Sequence, residues 1–234
     1  YEPGCGVHDA IEDGIENACA AVYKSDVCVL CLGEDSSMSG ESASVQHITL
    51  PAIQLELLET IAACHKPVIL LLTNGRPLLL SDILPQADAV VETWFLGHEA
   101  GHAISDVLLG RTEPTGHLTM SFPVSQGQIP VYYNHMNTGR PHKAGTPYVR
   151  VESNYMDGPN EPLFPFGFGL SYTTFSVEDL TLSDATMKMD GTLTVQVKVT
   201  NTGRRPGTAL CQLYVQDVAA SIARPVQELK AFTR

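Results

Sequence analysis

The sequence has little positive charge and no long apolar run. Its 234 residues include 14 Lys and Arg against 26 Asp and Glu, for a net charge of −12. Nucleic-acid binding needs clustered Lys and Arg, so this balance excludes that class. No apolar run approaches the roughly 20 residues of a membrane-spanning helix. The first residues, YEPGCGVHDA, also lack the basic and apolar regions of a signal peptide. We therefore predict neither a nucleic-acid nor a membrane partner, and composition leaves the compartment open.

The sequence also lacks a regular cysteine framework. Cys28 and Cys31 form a CxxC, but both lie in an apolar stretch and no second pair follows. A zinc or redox pair is expected on an exposed turn instead. We interpret the six cysteines as small hydrophobic residues and predict neither a metal nor another cofactor. They are Cys5, Cys19, Cys28, Cys31, Cys64 and Cys211.

What the chain does have is an apolar run leading into an acidic loop. The run DVCVLCL, beginning at Asp26, is typical of a strand buried on both faces. Glu34 follows it directly, and Glu41 lies in the Ser- and Gly-rich loop beyond. Parallel α/β sheets place their chemistry on loops that leave the carboxyl ends of strands. Both carboxylates are therefore candidate site residues.

Helices and strands are predicted to alternate around this stretch. The helix at 51–65 has a predicted buried stripe of Ile53, Leu57, Leu58 and Ile61. Such alternation favours a parallel sheet with right-handed crossovers, which we place in an α/β domain over residues 1–137. The predicted helices span 11–23, 51–65 and 97–109, and the predicted strands are DVCVLCL, PVILLLT, ADAVVETW and a final HLTMSFP.

The pattern changes in the last hundred residues. Residues 138–174 are rich in Pro, Gly, Tyr and Asn, which is typical of a wrapping linker. From Phe175 the residues alternate with period two, and Asn201-Thr202-Gly203 provides a turn. Three or four strands fit in 175–234, against about seven in an immunoglobulin-like sandwich. We expect the start of a second, β-sandwich domain there.

Several segments, in order from Ser25 to the end, resemble one family. They are SDVCVLCLGE, ITLPAIQLELL, KPVILLLTNGRPL, ETWFLGHEAGHAISDVLLG, PTGHLTMSFP, GQIPVYYNHMNTGRP, LFPFGFGLSYTTF and VTNTGRRPG. The chain is similar to the C-terminal part of family 3 glycoside hydrolases, of the bacterial periplasmic β-glucosidase type. The resemblance implies a parallel-sheet α/β sandwich domain, followed by an incomplete fibronectin type III-like domain. It also implies periplasmic or secreted location, with a β-glucoside or oligosaccharide as substrate.

In that family an N-terminal (β/α)8 barrel precedes both domains and carries the nucleophilic aspartate. No segment of these 234 residues resembles the barrel, and the first strands of the sandwich domain are also expected to be missing. The resemblance therefore implies a barrel partner in a longer protein. It also implies that this chain alone is inactive.

The resemblance assigns the general acid/base to Glu41. A retaining glycosidase uses one carboxyl that protonates the leaving oxygen and then activates water, about 5–5.5 Å from its nucleophilic partner. Glu34 is the competing candidate for that role, and the alternative for Glu41 is an ordinary solvated loop residue. Asn74, Arg76 and Tyr132 are predicted to bind substrate, although Asn74 and Arg76 equally suit a turn.

The loop departs from the family pattern after Glu41. Relatives usually have Arg four residues beyond the acid and often Asp two further on, where this chain has Val45 and His47. Val cannot supply the charged hydrogen bonds of Arg. We therefore expect either a different anchor for the loop or weakened activity.

A second motif indicates another class of enzyme. His98-Glu99-Ala100-Gly101-His102 matches the HExxH of zinc proteases on a predicted helix. No convincing third ligand follows, and the same helix belongs to the family pattern, so we expect no zinc there. Two functions stay open: part of a β-glucosidase, or a non-catalytic carbohydrate-binding or structural module derived from its fold.

Overall fold

A computed structural model describes all residues from 1 to 234. The chain forms two compact units, one of Tyr1–His98 with Thr119–Phe166 and one of Glu99–Leu118 with Gly167–Arg234. The domain segments expected from sequence, 1–137, 138–174 and 175–234, stay predictions. No helix has both the length and the apolar character that a membrane crossing requires.

The first unit is built on a three-stranded parallel sheet. Its strands are β1 (Cys28–Gly33), β2 (Val68–Thr73) and β3 (Ala89–Glu92), in the order β1-β2-β3. Helices α1 (Gly14–Tyr23) and α2 (Ala52–Ala62) belong to the same unit, with 3-10 turns at Leu84–Gln86 and Gln126–Gln128. The predicted parallel sheet with helices is confirmed.

The core lies around the central strand. Leu70 and Leu72 are fully buried in β2, and Leu58 and Ile61 of α2 expose at most 1% of their surface. The predicted stripe on α2 is right for Leu57, Leu58 and Ile61, but Ile53 is only half-buried. Gln54 takes the buried place instead, because its amide has backbone partners there.

The prediction that β1 is buried on both faces is wrong. Val29 is 44% exposed and Cys31 is also exposed, and both border a cavity of about 520 Å³. The reason is position: β1 is an edge strand that pairs only with β2. The buried residues of β1 are Leu30, Leu32 and Gly33.

The HLTMSFP segment does not form the predicted final strand. Phe122 makes a single bridge to Phe164, and the residues on either side are irregular. Phe122 is nonetheless 1% exposed, with its ring centroid 5.9 Å from that of Trp94 and 6.4 Å from that of Phe164. Aromatic packing holds this segment together with two short backbone hydrogen bonds, from Phe122 N–H to Phe164 O and from Leu163 N–H to Phe122 O, in place of the expected ladder.

The stretch after residue 138 contains a loop closed by a histidine. His142 Nδ1 lies 2.6 Å from Glu152 Oε2, and Nε2 lies 3.1 Å from Thr146 O. The hydrogen bond to Glu152 raises the pKa of His142, aided by the Thr146 carbonyl. Both ring nitrogens face acceptors, so the arrangement favours the imidazolium form.

The second unit contains helix α3 and two antiparallel sheets. Helix α3 (Ala100–Leu108) is shorter than the predicted 97–109 and is followed by Gly110 at φ 66°, a left-handed conformation that suits glycine. Strands β4 (Phe175–Leu182) and β5 (Val195–Asn201) pair with each other, as do β6 (Cys211–Val215) and β7 (Glu228–Thr233). Four strands agree with the three or four expected, and the fibronectin-like identity of this unit remains a proposal.

Candidate active site

The carboxyl ends of the three parallel strands bring polar side chains together. Glu34 follows β1, Asn74 follows β2, and Glu92 is the last residue of β3. The register pairs Gly33 with Thr73 and Leu72 with Glu92, so these residues share one edge of the sheet. This is the edge at which parallel sheets bind substrates.

Glycine at position 33 lets the first two strand ends approach closely. A Cβ there would overlap the backbone of Thr73, and the φ of 150° is one that side chains rarely adopt. The Glu34 N–H then donates to Thr73 O at 2.7 Å. The main chain of Glu34 is therefore fixed against β2.

Glu34 is a buried carboxylate that is fully engaged with the protein. The residue is 7% exposed, and its Oε1 lies 2.9 Å from Arg76 Nε. That contact is an ion pair without hydrogen-bond geometry at Nε. The other oxygen, Oε2, accepts the Gly75 N–H at 3.0 Å. Both oxygens are thus committed to the turn after β2.

Glu41 is in the opposite situation. It lies on a turn of the loop that leaves β1, exposed to solvent, and its carboxylate makes none of the chain's ion pairs. The loop itself is anchored on both sides of it, because Arg76 Nη2 donates to Met38 O and to Ala43 O, the latter at 3.1 Å. Arg76 therefore provides an anchor for this loop, in which position 45 is Val where relatives usually have Arg.

Other hydrogen bonds secure the two ends of this loop. Asp35 Oδ1 accepts the Ser37 N–H at 2.7 Å and the Ser37 hydroxyl at 2.6 Å, and these bonds lower the pKa of Asp35. At the far end, the Gln126 side-chain amide donates to Gln46 O. The loop therefore has fixed ends and a free carboxylate at its middle.

Sequence reasoning missed Glu92. Burial raises the pKa of Glu92 to about 7; the Trp94 N–H and Asn74 lower it, and the charge of Glu34 raises it further. A raised carboxyl pKa is typical of acid catalysts. Here, however, Oε1 accepts the Trp94 N–H at 3.0 Å and Oε2 is closed to solvent. Glu92 is thus a structural carboxyl. The sequence feature that could have identified it is a Glu at the end of a predicted strand, directly before Thr93 and Trp94.

The predicted substrate-binding residues fall into two groups. Arg76 and Tyr132 line one groove of about 480 Å³, together with Ile48, Tyr133 and Phe166. Asn74 is fully buried, and its Nδ2 donates to Arg76 O at 2.8 Å. The rings of Tyr133 and Phe166 stack at 4.3 Å. The structure therefore places Arg76 and Tyr132 in the same groove, while Asn74 lies buried and stabilises the turn after β2.

Only part of the HEAGH motif lies on the helix that the sequence predicts for it. His98 precedes helix α3, which begins at Ala100. His102 and Glu99 are exposed and lie 4.0 Å apart, and no group of three His, Cys, Asp or Glu side chains is placed to hold a metal. The zinc-protease interpretation receives no support from this arrangement.

Comparison with known proteins agrees with this fold. The Glycosyl hydrolase family 3 C-terminal domain matches residues 2–172. A periplasmic β-glucosidase of Salmonella typhimurium is 51% identical over 94% of this chain, and a β-xylosidase of Formosa agariphila is 40% identical over all of it. A β-glucosidase of Listeria innocua, solved in complex with glucose, is 43% identical over 97% of the chain, with a TM-score of 0.91.

The relatives of this chain are thus glycoside hydrolases. More narrowly, the chain belongs to glycosyl hydrolase family 3 and corresponds to its C-terminal part. It spans 29% of the Salmonella protein, 31% of the Formosa protein and 31% of the Listeria chain. The family resemblance seen in the sequence is confirmed.

Proposed function

We propose that this chain is the acid/base-bearing part of a retaining β-glucosidase that removes terminal β-linked glucose from oligosaccharides. Glu41 is the general acid/base. The nucleophile comes from a barrel domain of the same longer protein. A periplasmic or secreted location is part of the proposal, and it is supported by the name of the Salmonella relative.

The contrast between Glu34 and Glu41 carries the assignment. The Glu34 oxygens bind Arg76 and the Gly75 N–H inside the protein, so that carboxyl has no face left for a substrate. Glu41 projects from an anchored loop at the substrate-binding edge of a parallel sheet, exposed and outside every ion pair. A general acid must reach the leaving oxygen, which favours Glu41.

In the proposed mechanism Glu41 acts twice. It first protonates the glycosidic oxygen as the nucleophile of the barrel attacks the anomeric carbon. It then removes a proton from the water that hydrolyses the glycosyl-enzyme intermediate. Both steps need a carboxyl that is held near the glycosidic bond and is accessible to the barrel domain. An exposed carboxyl on an anchored loop meets both requirements.

The groove beside Arg76 is the proposed approach for substrate. Tyr132 offers an exposed ring at 52% of its surface, and aromatic faces pack well on sugars. Arg76 and Asn74 are proposed to support sugar binding only by holding the turn after β2, because Arg76 Nη2 and Asn74 Nδ2 already donate to backbone carbonyls. Because the relatives include a β-xylosidase, glucose as the sugar rests on the β-glucosidases of Salmonella and Listeria.

The test is Glu41→Ala in the longer protein that carries this chain. Turnover of natural disaccharides should fall on the order of 10²–10⁴-fold, the usual contribution of a general acid/base. Nitrophenyl glucosides have good leaving groups, so their glycosylation should suffer less. Azide needs no general base, and it should restore turnover of the nitrophenyl substrate and yield a glycosyl azide.

Glu34→Ala is the matched control, since it removes the neighbouring carboxyl. Glu34 reaches the loop only through Arg76, so any azide rescue of Glu34→Ala should be far smaller than that of Glu41→Ala. If Glu34→Ala is rescued and Glu41→Ala keeps near-normal rates on disaccharides, Glu34 is the acid. If neither variant changes turnover, the non-catalytic module becomes the better description.

A further inference from the structure

We propose that Arg76 is a positioning residue for the acid/base. In this view the buried Glu34–Arg76 pair fixes the loop that presents Glu41. The inference rests on the proposed function of Glu41. It assigns a purpose to a buried ion pair that the acid/base chemistry itself does not use.

The guanidinium reaches the loop on both sides of Glu41. Arg76 Nη2 donates to the carbonyl of Met38, three residues before Glu41, and to that of Ala43, two residues after it. A single nitrogen therefore holds both ends of the short segment that carries the carboxyl. Hydrogen bonds from a charged donor are about twice as strong as neutral ones.

Arg76 is itself held in place by the strand ends. Glu34 Oε1 lies 2.9 Å from Nε, and the Arg76 side chain is only 19% exposed. On the main chain, Asn74 Nδ2 donates to Arg76 O at 2.8 Å. Both the side chain and the backbone of Arg76 are therefore fixed by residues that follow the strands of the parallel sheet. Arg76 therefore connects the loop that carries Glu41 to the ends of β1 and β2, and this connection sets the position of the loop.

The loop also packs directly on the turn that carries Arg76. A Cβ on Gly75 would overlap the Ser39 side chain, so Ser39 occupies the space that the glycine leaves. Residues 34–47 form neither a helix nor a strand, and Gly40 has a φ of 117°. A Ser- and Gly-rich loop of this kind loses much conformational entropy when it is ordered. The contacts from Arg76 oppose that cost.

The expected consequence is a chemical rather than a binding defect. Without the guanidinium, the carbonyls of Met38 and Ala43 lose their shared donor, and the Glu41 carboxyl samples many positions. A displacement of about 1 Å in a catalytic group costs on the order of 100-fold in rate. The loss should fall on kcat and should grow as the leaving group becomes poorer.

The experiment compares Arg76→Met, Arg76→Lys and Glu41→Ala in the longer protein that carries this chain. Arg76→Met should lower kcat about 10–100-fold for disaccharides with little change in KM, and less for nitrophenyl glucosides. Azide should partly rescue it. Arg76→Lys keeps the charge beside Glu34 but lacks the guanidinium geometry, so it should lie between Arg76→Met and the parent.

A second measurement uses the 234-residue chain. In Arg76→Met, backbone hydrogen exchange should rise over residues 36–46 and stay unchanged in β2. Arg150→Met, an exposed arginine of the same unit, is the control and should leave exchange and kinetics unaltered.

The outcomes separate the two proposals. If Glu41→Ala shows leaving-group dependence and azide rescue while Arg76→Met behaves as the parent, the positioning role is wrong and the acid/base assignment stands. If Arg76→Met slows all substrates equally, without azide rescue, its role is only structural and the inference fails. If Glu41→Ala lacks both signatures, the proposed function itself fails.

Discussion

Three carboxylates near one sheet edge have three different environments. Glu34 is paired with Arg76, Glu92 is half-buried beside Asn74 with its Oε2 closed to solvent, and Glu41 is exposed on the loop. Their chemistry differs because the environment sets which protonation state is favoured. The exposed group suits proton exchange with a substrate, and the buried groups hold the strand ends.

Glu92 predicts a pH-dependent stability. Its pKa rises from 4.5 to about 7 on folding, so the folded state binds more protons between those pH values and stability falls as pH rises through them. Asn74 Oδ1 and Glu92 Oε2 are also buried acceptors without a donor. Glu92→Gln should therefore stabilise the chain at pH 8, by up to about 3 kcal/mol, and change little near pH 4.5. Urea unfolding at both pH values measures this.

Glu99→Gln serves as the control for that prediction, because its carboxylate is exposed. It should have no comparable pH-dependent effect. A Glu92→Gln chain that is less stable than the parent at pH 8 would contradict the raised pKa of Glu92 in the folded chain.

At the scale of elements, α2 is joined to the end of β1 by one side chain. Gln54 is 3% exposed; its Oε1 accepts the Gly33 N–H at 2.7 Å, and its Nε2 donates to Gly33 O at 2.8 Å and Val7 O at 3.1 Å. The amide thus completes the hydrogen bonding of the residue immediately before Glu34. An apolar helix stripe with Leu at this position could not do so.

Gln54→Leu should destabilise the chain by about 2–4 kcal/mol. The substitution leaves the buried N–H and C=O of Gly33 unpaired, at a cost of about 1–3 kcal/mol for each group. The midpoint of urea unfolding should move to lower concentration. Glu59→Leu, at an exposed position of the same helix, should stay within about 0.5 kcal/mol of the parent. Equal midpoints for the two variants would show that the Gln54 bridge contributes nothing.

At the scale of the whole molecule, the chain corresponds to only a part of the proteins that it resembles. It spans 29–31% of the Salmonella, Formosa and Listeria relatives, and the proposed chemistry needs a second carboxylate from a barrel. We therefore predict that the purified 234-residue chain does not hydrolyse nitrophenyl β-glucosides. One carboxyl without its nucleophilic partner cannot form the glycosyl-enzyme intermediate.

Release of nitrophenol measures this prediction directly. The longer protein, assayed in parallel, controls for substrate and conditions. Turnover by the isolated chain that disappears in Glu41→Ala would show that both catalytic groups lie within these residues, and the two-domain mechanism would be wrong.

The sequence by itself determined the family and the main architecture. Apolar runs that alternate with helical patterns predicted the parallel sheet and α2, and period-two alternation predicted the later strands. It also identified Glu34 and Glu41 as the candidate carboxylates, because both follow the apolar run of β1. It did not distinguish their environments.

Only the tertiary structure decided those environments. Arg76 is 42 residues from Glu34 and 33 from Ala43 along the chain. It contacts both directly, because β2, which precedes Arg76, lies beside β1 in the sheet. Edge position exposed Val29, and irregular pairing replaced the predicted strand at Phe122. These environments depend on which segments, distant along the chain, come into contact in the fold. Local periodicity in the sequence indicates only which side of a segment is buried.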